Sequence, residues 1–228
     1  MNYLHQIKEN GVVAVIRGAK PDNILPIAQA LRDGGVKTLE ITVETPKVLT
    51  LIEQVSSEMG NEVIVGAGTV LDSETARAVI MAGAKFVFSP TVSIETIRMT
   101  KRYGVVSIPG ALTPSEILTA YENGADIIKV FPADVFGPKY LKDLKGPLPH
   151  IPLMPTGGIN LDNLAEYIGA GAIAVGIGSN LVNTRKPINE VALKDLRETA
   201  SLYVKAIQQA RQRGTDAKNS ADTLLKQS

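Results

Sequence analysis

The chain has no cysteine and no tryptophan, only two histidines, and aromatic residues at 4% of its 228 positions. Without cysteine there is no disulfide framework, no thiolate nucleophile and no thiolate metal site. That composition suits a reducing compartment, and a cytoplasmic location is expected. The two histidines, His5 and His150, fall in expected helix and loop rather than at strand ends, so neither a metal nor a cofactor is expected. Scarce aromatics leave no base-stacking platform, and a net charge of +1 offers no surplus of cations to a phosphate backbone, so no nucleic-acid partner is expected. No apolar stretch is long enough to cross a bilayer, and Met1-Asn2-Tyr3-Leu4-His5 lacks the basic segment and apolar run of a signal peptide. No membrane partner is expected either.

What is abundant is apolar content, 44%, arranged as short β-branched runs alternating with amphipathic stretches. The pattern predicts strands near Val12–Arg17, Thr38–Val43, Val63–Gly66, Phe86–Phe88, Val105–Ile108, Ile127–Phe131, Leu153–Pro155 and Ala174–Ile177. Eight strands separated by helices are enough to close a (β/α)8 TIM barrel, here preceded by an N-terminal helix, and the chain length suits a single such domain. An open doubly wound sheet is the alternative arrangement. Helix entries are signalled at Pro21-Asp22, Asp72-Ser73-Glu74, Thr113-Pro114-Ser115-Glu116 and Asn160-Leu161-Asp162. A last helix is predicted from about Glu190 to Arg211, with Leu193, Leu196, Ala200, Val204 and Ile207 at helical spacing. The expected division is a barrel over residues 1–212 and a polar, frayed tail over 213–228.

A repeated frame carries the functional signal. Four times an expected helix ends in a small-Gly-small step: Gly34-Gly35-Val36, Ala82-Gly83-Ala84, Asn123-Gly124-Ala125 and Ala170-Gly171-Ala172. The fifth residue after the central glycine of each copy is Glu40, Phe88, Lys129 and Gly176. On alternate strands of one parallel barrel these four side-chain positions share an interior layer. A second self-similarity, between Gly68-Thr69-Val70-Leu71-Asp72 and Gly158-Ile159-Asn160-Leu161-Asp162, relates strands three and four to strands seven and eight.

Lys129 stands in the apolar run Ile127-Ile128-Lys129-Val130-Phe131. Desolvation there lowers the ammonium pKa and frees an amine nucleophile, the kind that forms Schiff bases with carbonyl substrates. A snorkelling lysine, or a structural ion pair with Glu40, is the purely architectural alternative. Alternation along Thr38-Leu39-Glu40-Ile41-Thr42-Val43-Glu44 puts Glu40 on the polar face, which lines the interior of a helix-wrapped barrel. A carboxylate beside an amine can shuttle protons. Thr156-Gly157-Gly158 and Gly176-Ile177-Gly178-Ser179 end strands seven and eight, where such barrels often bind phosphate on backbone N–H groups. Ser179 can add a hydroxyl donor. Arg17, at the end of strand one, can clamp a carboxylate with two parallel hydrogen bonds.

Together, Leu39-Glu40-Ile41-Thr42, Gly66-Ala67-Gly68-Thr69-Val70, Ser89-Pro90, Pro109-Gly110, Lys129-Val130-Phe131-Pro132-Ala133, Pro155-Thr156-Gly157-Gly158-Ile159 and Gly176-Ile177-Gly178-Ser179 resemble the 2-keto-3-deoxy-6-phosphogluconate aldolase and 4-hydroxy-2-oxoglutarate aldolase family. The resemblance runs from about Gly11 to Val182. It implies a metal-independent class I enzyme with Lys129 as the Schiff-base lysine and Glu40 as the general acid/base. Arg17, Thr69, Pro90 and Thr156 would hold the pyruvyl end and its carboxylate, and Gly157, Gly158, Gly178 and Ser179 the phosphate. A homotrimer of (β/α)8 barrels acting on a small phosphosugar acid and pyruvate is likewise implied. Some members carry, four residues after the catalytic glutamate, an arginine that binds the substrate carboxylate; Glu44 stands there, which would repel it. A phosphosugar epimerase or isomerase, and a non-catalytic phosphosugar-binding barrel, are the competing functions for the same residues.

Overall fold

The four small-Gly-small steps are four copies of one helix-ending device. In each, the central residue, Gly35, Gly83, Gly124 or Gly171, takes φ between 91 and 108°, a left-handed turn that a side chain would strain. Its N–H and the next one fold back on the preceding helix, as in Gly35 N to Arg32 O (2.8 Å) and Val36 N to Leu31 O (2.9 Å), and the strand starts soon after. A fixed exit from helix into strand makes equal counts along the chain place equivalent residues at equivalent heights in the sheet.

The computed structural model describes residues 2–225. In chain order the elements are α1 (Tyr3–Asn10), β1 (Val12–Ile16), α2 (Ile24–Asp33), β2 (Thr38–Thr42), α3 (Val48–Met59), β3 (Ile64–Gly68), α4 (Ser73–Met81), β4 (Phe86–Phe88) and α5 (Ile94–Arg102). There follow β5 (Val106–Ile108), β6 (Gly110–Ala111), α6 (Pro114–Glu122), β7 (Ile128–Val130), α7 (Gly137–Lys145), β8 (Leu153–Pro155), α8 (Leu164–Gly169), β9 (Val175–Ile177) and α9 (Glu190–Leu225). This is a parallel α/β fold with a curled six-stranded sheet, ordered β5-β4-β3-β2-β1-β9, and a three-stranded sheet, β6-β7-β8. The expected fifth strand is β5, and beyond Pro109, which has no N–H to give to a ladder, the short unexpected segment β6 pairs with β7. On the other side the parallel bridge Thr156–Gly176 joins the end of β8 to β9.

Strand alternation separates two cores. Val12, Ala14 and Ile16 of β1, Leu39 and Ile41 of β2, Val87 of β4 and Ile128 and Val130 of β7 face the helices. Inside, Val13, Ile64, Phe86, Phe88, Val106, Ile108, Ile127, Met154 and Ala174 form a second cluster together with Ile7 of α1. These residues lie mainly at the starts of the strands, so α1 seals that end and the polar interior positions are left for the other. α9 packs Leu196, Ala200, Tyr203, Ile207 and Ala210 inward, and Arg211 ties it to Glu9 O and Ile173 O (both 2.8 Å).

Two local expectations shift. α2 and α8 start after Asn23 and Asn163, later than the predicted entries, because each Asn side chain accepts from the N–H three residues back, Lys20 or Asn160 (2.8 and 3.0 Å). That makes a preliminary turn. The last helix, expected to stop near Arg211, runs to Leu225: no proline interrupts it, and Gln212 Nε2 donates to Asp216 Oδ1 at 3.0 Å across one turn. The frayed tail placed at 213–228 is therefore helical through Leu225, and 226–228 lie outside the described residues. Among the described residues no helix is long and apolar enough to cross a membrane.

The predicted entry to α6 is a full capping box: Glu116 N donates to Thr113 Oγ1 (3.3 Å) while Thr113 N donates to Glu116 Oε2 (2.8 Å). Thr113→Ala should destabilise the fold by about 1 kcal/mol. The check is a lower denaturant midpoint with an unchanged slope.

Candidate active site

Of the four positions counted from the frame, Glu40, Lys129 and Gly176 line one cavity, and Phe88 does not. β2 and β7 deliver Glu40 and Lys129 as the centres of their strands, with Glu40 level with Val15 and Gly66, and Lys129 level with Gly110 and Met154. Glu40 is 2% exposed and Lys129 7%. Both open onto a cavity of about 370 Å³ at the strand C-terminal ends. Arg17, Thr69, Pro90 and Thr156 line the same cavity, as do Gly157, Gly158, Gly178 and Ser179. All ten residues singled out from sequence thus converge on one space, although they come from two strands and from the ends of five others or the loops that follow them. A larger groove of about 780 Å³ touches it through Pro90 and Phe131 but holds no amine, and its carboxylates Glu95 and Glu116 lie on surface helices. The buried amine and carboxyl both line the smaller space.

Two glycines make room for the reactive groups. A Cβ on Gly68 would overlap the Glu40 carboxylate, and one on Gly176 would collide with Thr156 Oγ1. Thr69, next to Gly68, has φ 58°, an uncommon and strained state for a β-branched residue that turns the chain over the cavity. Glu40 Oε2 and Thr156 Oγ1 are buried with no hydrogen-bond partner. Such atoms cost about 1–3 kcal/mol each, and fixed orphans facing a cavity are suited to a polar ligand. Gly157 and Gly158 both take left-handed backbone conformations, and Asn180 Nδ2 donates to Ile159 O at 2.8 Å, binding the loops after β8 and β9 to each other.

The electrostatics favour uncharged forms. Burial raises the Glu40 carboxyl to about 7; the charges of Lys129 and Arg17 work against that rise and Glu44 adds to it. Burial also lowers the Lys129 ammonium from its ordinary value, opposed by Glu40, aided by Arg17 and opposed again by Glu44. Among the described residues Glu40 and Lys129 form no direct ion pair, so neither is locked in its charged state. Lys129 Nζ lies over two aromatic rings, 4.3 Å from the Phe88 centroid and 4.5 Å from that of Phe131.

Glu44 differs from its expected effect. Rather than standing as a bare repulsive charge, its Oε2 pairs with Arg17 Nη1 at 3.3 Å. The two loops are stitched by Gly18 N donating to Thr45 Oγ1 (2.9 Å), which holds both residues at the cavity mouth. The pair is half-exposed and worth roughly 0.2–1 kcal/mol, weak enough for a ligand carboxylate to share or displace. Sequence reasoning assigned no role to Val15, Phe88, Phe131, Ile159 or Asn180. Phe88 was marked by the frame, and Asn180 follows the Gly178-Ser179 motif directly; the apolar wall residues carried no signal apart from the strand pattern. Among the described residues no three side chains are grouped to hold a metal ion.

Residues 4–197 match the family model described as "Aldolase: KDPG and KHG aldolase". The chain is 35% identical over 200 residues to 2-dehydro-3-deoxy-6-phosphogalactonate aldolase of Escherichia coli K12, covering 87% of this chain and 95% of that one. It is 43% identical over 162 residues to 2-dehydro-3-deoxy-phosphogluconate aldolase of Pseudomonas aeruginosa, covering 71% and 73%. Among solved structures, KDPG aldolase from Legionella pneumophila, with pyruvate captured at low pH as a covalent carbinolamine, superimposes with a TM-score of 0.77 at 30% identity. That alignment covers 91% of this chain and 98% of the other.

Because the folded Glu40 carboxyl sits at about 7 against an ordinary 4.5, the native state holds a proton that the unfolded chain releases between those values. Stability from this group is complete below about 4.5 and is lost as pH rises towards 7. Glu40→Gln should therefore gain stability relative to the wild type as pH rises through that window, then hold the gain above it. Melting temperatures of both proteins from pH 4.5 to 8 test this; a difference that does not change with pH would contradict it.

Proposed function

Because this chain belongs to the family of KDPG and KHG aldolases, we propose that it is a class I aldolase that reversibly cleaves a 2-keto-3-deoxy phosphosugar acid to pyruvate and an aldehyde such as glyceraldehyde 3-phosphate. The substrate class includes the phosphogluconate and phosphogalactonate series, with 4-hydroxy-2-oxoglutarate as a further substrate. The observation that carries the reading is a buried lysine, pushed towards its free amine, opening onto the same cavity as a buried carboxyl.

In the cleavage direction the Lys129 amine attacks the C2 ketone, the oxygen leaves as water, and a protonated imine remains. The imine draws electrons as the C3–C4 bond breaks, while Glu40 takes the C4 hydroxyl proton, directly or through water. The aldehyde leaves, the enamine is protonated at C3, and hydrolysis returns pyruvate and the free lysine. Arg17 binds the substrate carboxylate, with Thr69, Pro90 and Thr156 around the pyruvyl group. Gly157, Gly158, Gly178 and Ser179 take the phosphate on backbone N–H groups and the serine hydroxyl. A carboxyl near 7 suits a group that must both accept and donate a proton at neutral pH.

The finer architecture belongs to the same proposal. The two sheets act as one closed (β/α)8 barrel, a reading supported by the single-residue gap at Pro109 and the Thr156–Gly176 bridge. Residues 1–212 form the catalytic unit and 213–228 an appendage to it. The enzyme is a cytoplasmic homotrimer, and exposed apolar side chains such as Val135 and Phe136 offer surface for assembly.

Incubation with pyruvate and borohydride, followed by peptide mass spectrometry, should place a reduced pyruvyl adduct on Lys129, and Lys129→Ala should show no adduct and no turnover. An unmodified Lys129 in the folded wild type would move the reading to a non-covalent epimerase or a binding module. Arg17→Ala should raise KM for the keto acid roughly 10- to 100-fold, the worth of a charge-assisted carboxylate contact. Unchanged steady-state kinetics would release Arg17 from that role.

A further inference from the structure

Phe88, the remaining side chain picked out by the repeated frame, has no place in the mechanism above. It is fully buried, and it does not line the catalytic cavity. Its ring is held edge-on to Phe86, with centroids 6.4 Å apart and an 84° angle between planes. Thus oriented, it lies 4.3 Å from Lys129 Nζ, and Phe131 approaches the same nitrogen from the cavity wall at 4.5 Å. Both distances are well inside the roughly 6 Å range in which the negative face of a ring attracts a cation.

The reaction makes conflicting demands on this nitrogen. It must be neutral to attack C2 and positive once water has left. The balance is amine plus ketone plus one proton giving protonated imine plus water: the Nζ–C2 bond forms and the C2–O bond breaks. Burial helps the first state and penalises the second. Three ionisable groups act on the nitrogen: Glu40 on β2, Glu44 just beyond it, and Arg17 just beyond β1. Of these, Glu40 loses its charge whenever it holds the transferred proton, and Glu44 is already paired with Arg17. A ring has no proton to accept, so its attraction persists through every protonation state of the cycle.

We propose that Phe88 and Phe131 form a two-ring clamp that stabilises the positive nitrogen of Lys129, as ammonium and as protonated imine, with Phe88 a positioning residue acting through the lysine. The clamp rests on the Schiff-base reading. It offsets the burial that makes the amine reactive, so the imine keeps its charge in an interior that would otherwise expel it.

The test is the pH dependence of pyruvate trapping by borohydride in the wild type, Phe88→Leu, Phe131→Leu and Phe131→Tyr. Loss of a ring destabilises the ammonium, so the pH at which trapping reaches half its maximum should fall by up to about one unit in either leucine variant. Above that midpoint the reactant is the neutral amine, and the apparent dissociation constant for pyruvate should rise by up to about tenfold. Below it a cation becomes a cation and the constant should hold. Phe131→Tyr keeps a ring and should behave as the wild type. Circular dichroism establishes folding, and if Phe88→Leu does not fold the two Phe131 variants carry the test. An unchanged midpoint in a folded leucine variant, or a tyrosine variant that behaves like leucine, overturns the clamp. A wild type without an adduct on Lys129 overturns the Schiff-base reading instead.

Discussion

Placing an amine and a carboxyl together inside a strand layer, close enough to sense each other but without a direct ion pair, is the constraint on which the rest of this structure depends. A buried lysine and glutamate that paired directly would spend their reactivity on each other, and a single buried charge would be too costly to keep. Here burial pushes both towards their neutral forms, and each group's field limits the other's shift. The surrounding backbone yields space for them: Gly68 cannot carry a Cβ beside Glu40, and Gly176 cannot carry one beside Thr156. The orphaned oxygens of Glu40 and Thr156 and the strained φ of Thr69 sit around the same cavity. A fold stable enough to tolerate these local costs concentrates them where a ligand's polar groups can meet them.

That tolerance comes from the opposite end. α1 closes the floor of the strand layer with Ile7, and the inner apolar cluster fills it upward through Phe86 and Phe88. Thr38, at the start of β2, is a buried polar group at this end and accepts from Asn10 Nδ2 at 3.0 Å; Glu40 stands two residues further along the same face. The loops at the open end are fastened in pairs, β1 to β2 through Gly18 and Thr45, and β8 to β9 through Ile159 and Asn180. A ligand bound there meets a prearranged surface, so less of its binding energy goes into ordering loops. The Arg17–Glu44 pair belongs to this arrangement: the carboxylate expected to repel a substrate acid instead holds the guanidinium at the rim.

The aromatic contacts of Lys129 complete the electrostatic picture. On the proposed Schiff-base reading, desolvation alone would give a good nucleophile and a poor iminium, whereas a protonated imine would have to persist while a carbon–carbon bond breaks. Two ring faces on one nitrogen, one from the packed floor and one from the cavity wall, supply attraction that no proton transfer can switch off.

Much of this was legible without coordinates, and the reason is periodicity. The small-Gly-small steps terminate helices through local hydrogen bonds, strand alternation is a local property of the pleat, and the cap of α6 is contained in four residues. Counting from such fixed points placed Glu40, Phe88, Lys129 and Gly176 in one layer, and recurring motifs gathered the remaining site residues. Where side chains from distant segments meet was not legible in the same way. That Asn23 and Asn163 delay their helices, that α9 runs on to Leu225, that Glu44 answers Arg17, and that Phe88 turns its face to Lys129 depend on alternatives of similar local energy. The sequence by itself determined the order of elements, the inward positions and the residues able to do chemistry, because each rests on hydrogen bonds and periodicities a few residues long. Only the tertiary structure decided distances, pairings and degrees of burial, because these follow from the curvature and register that bring separate strands around one cavity.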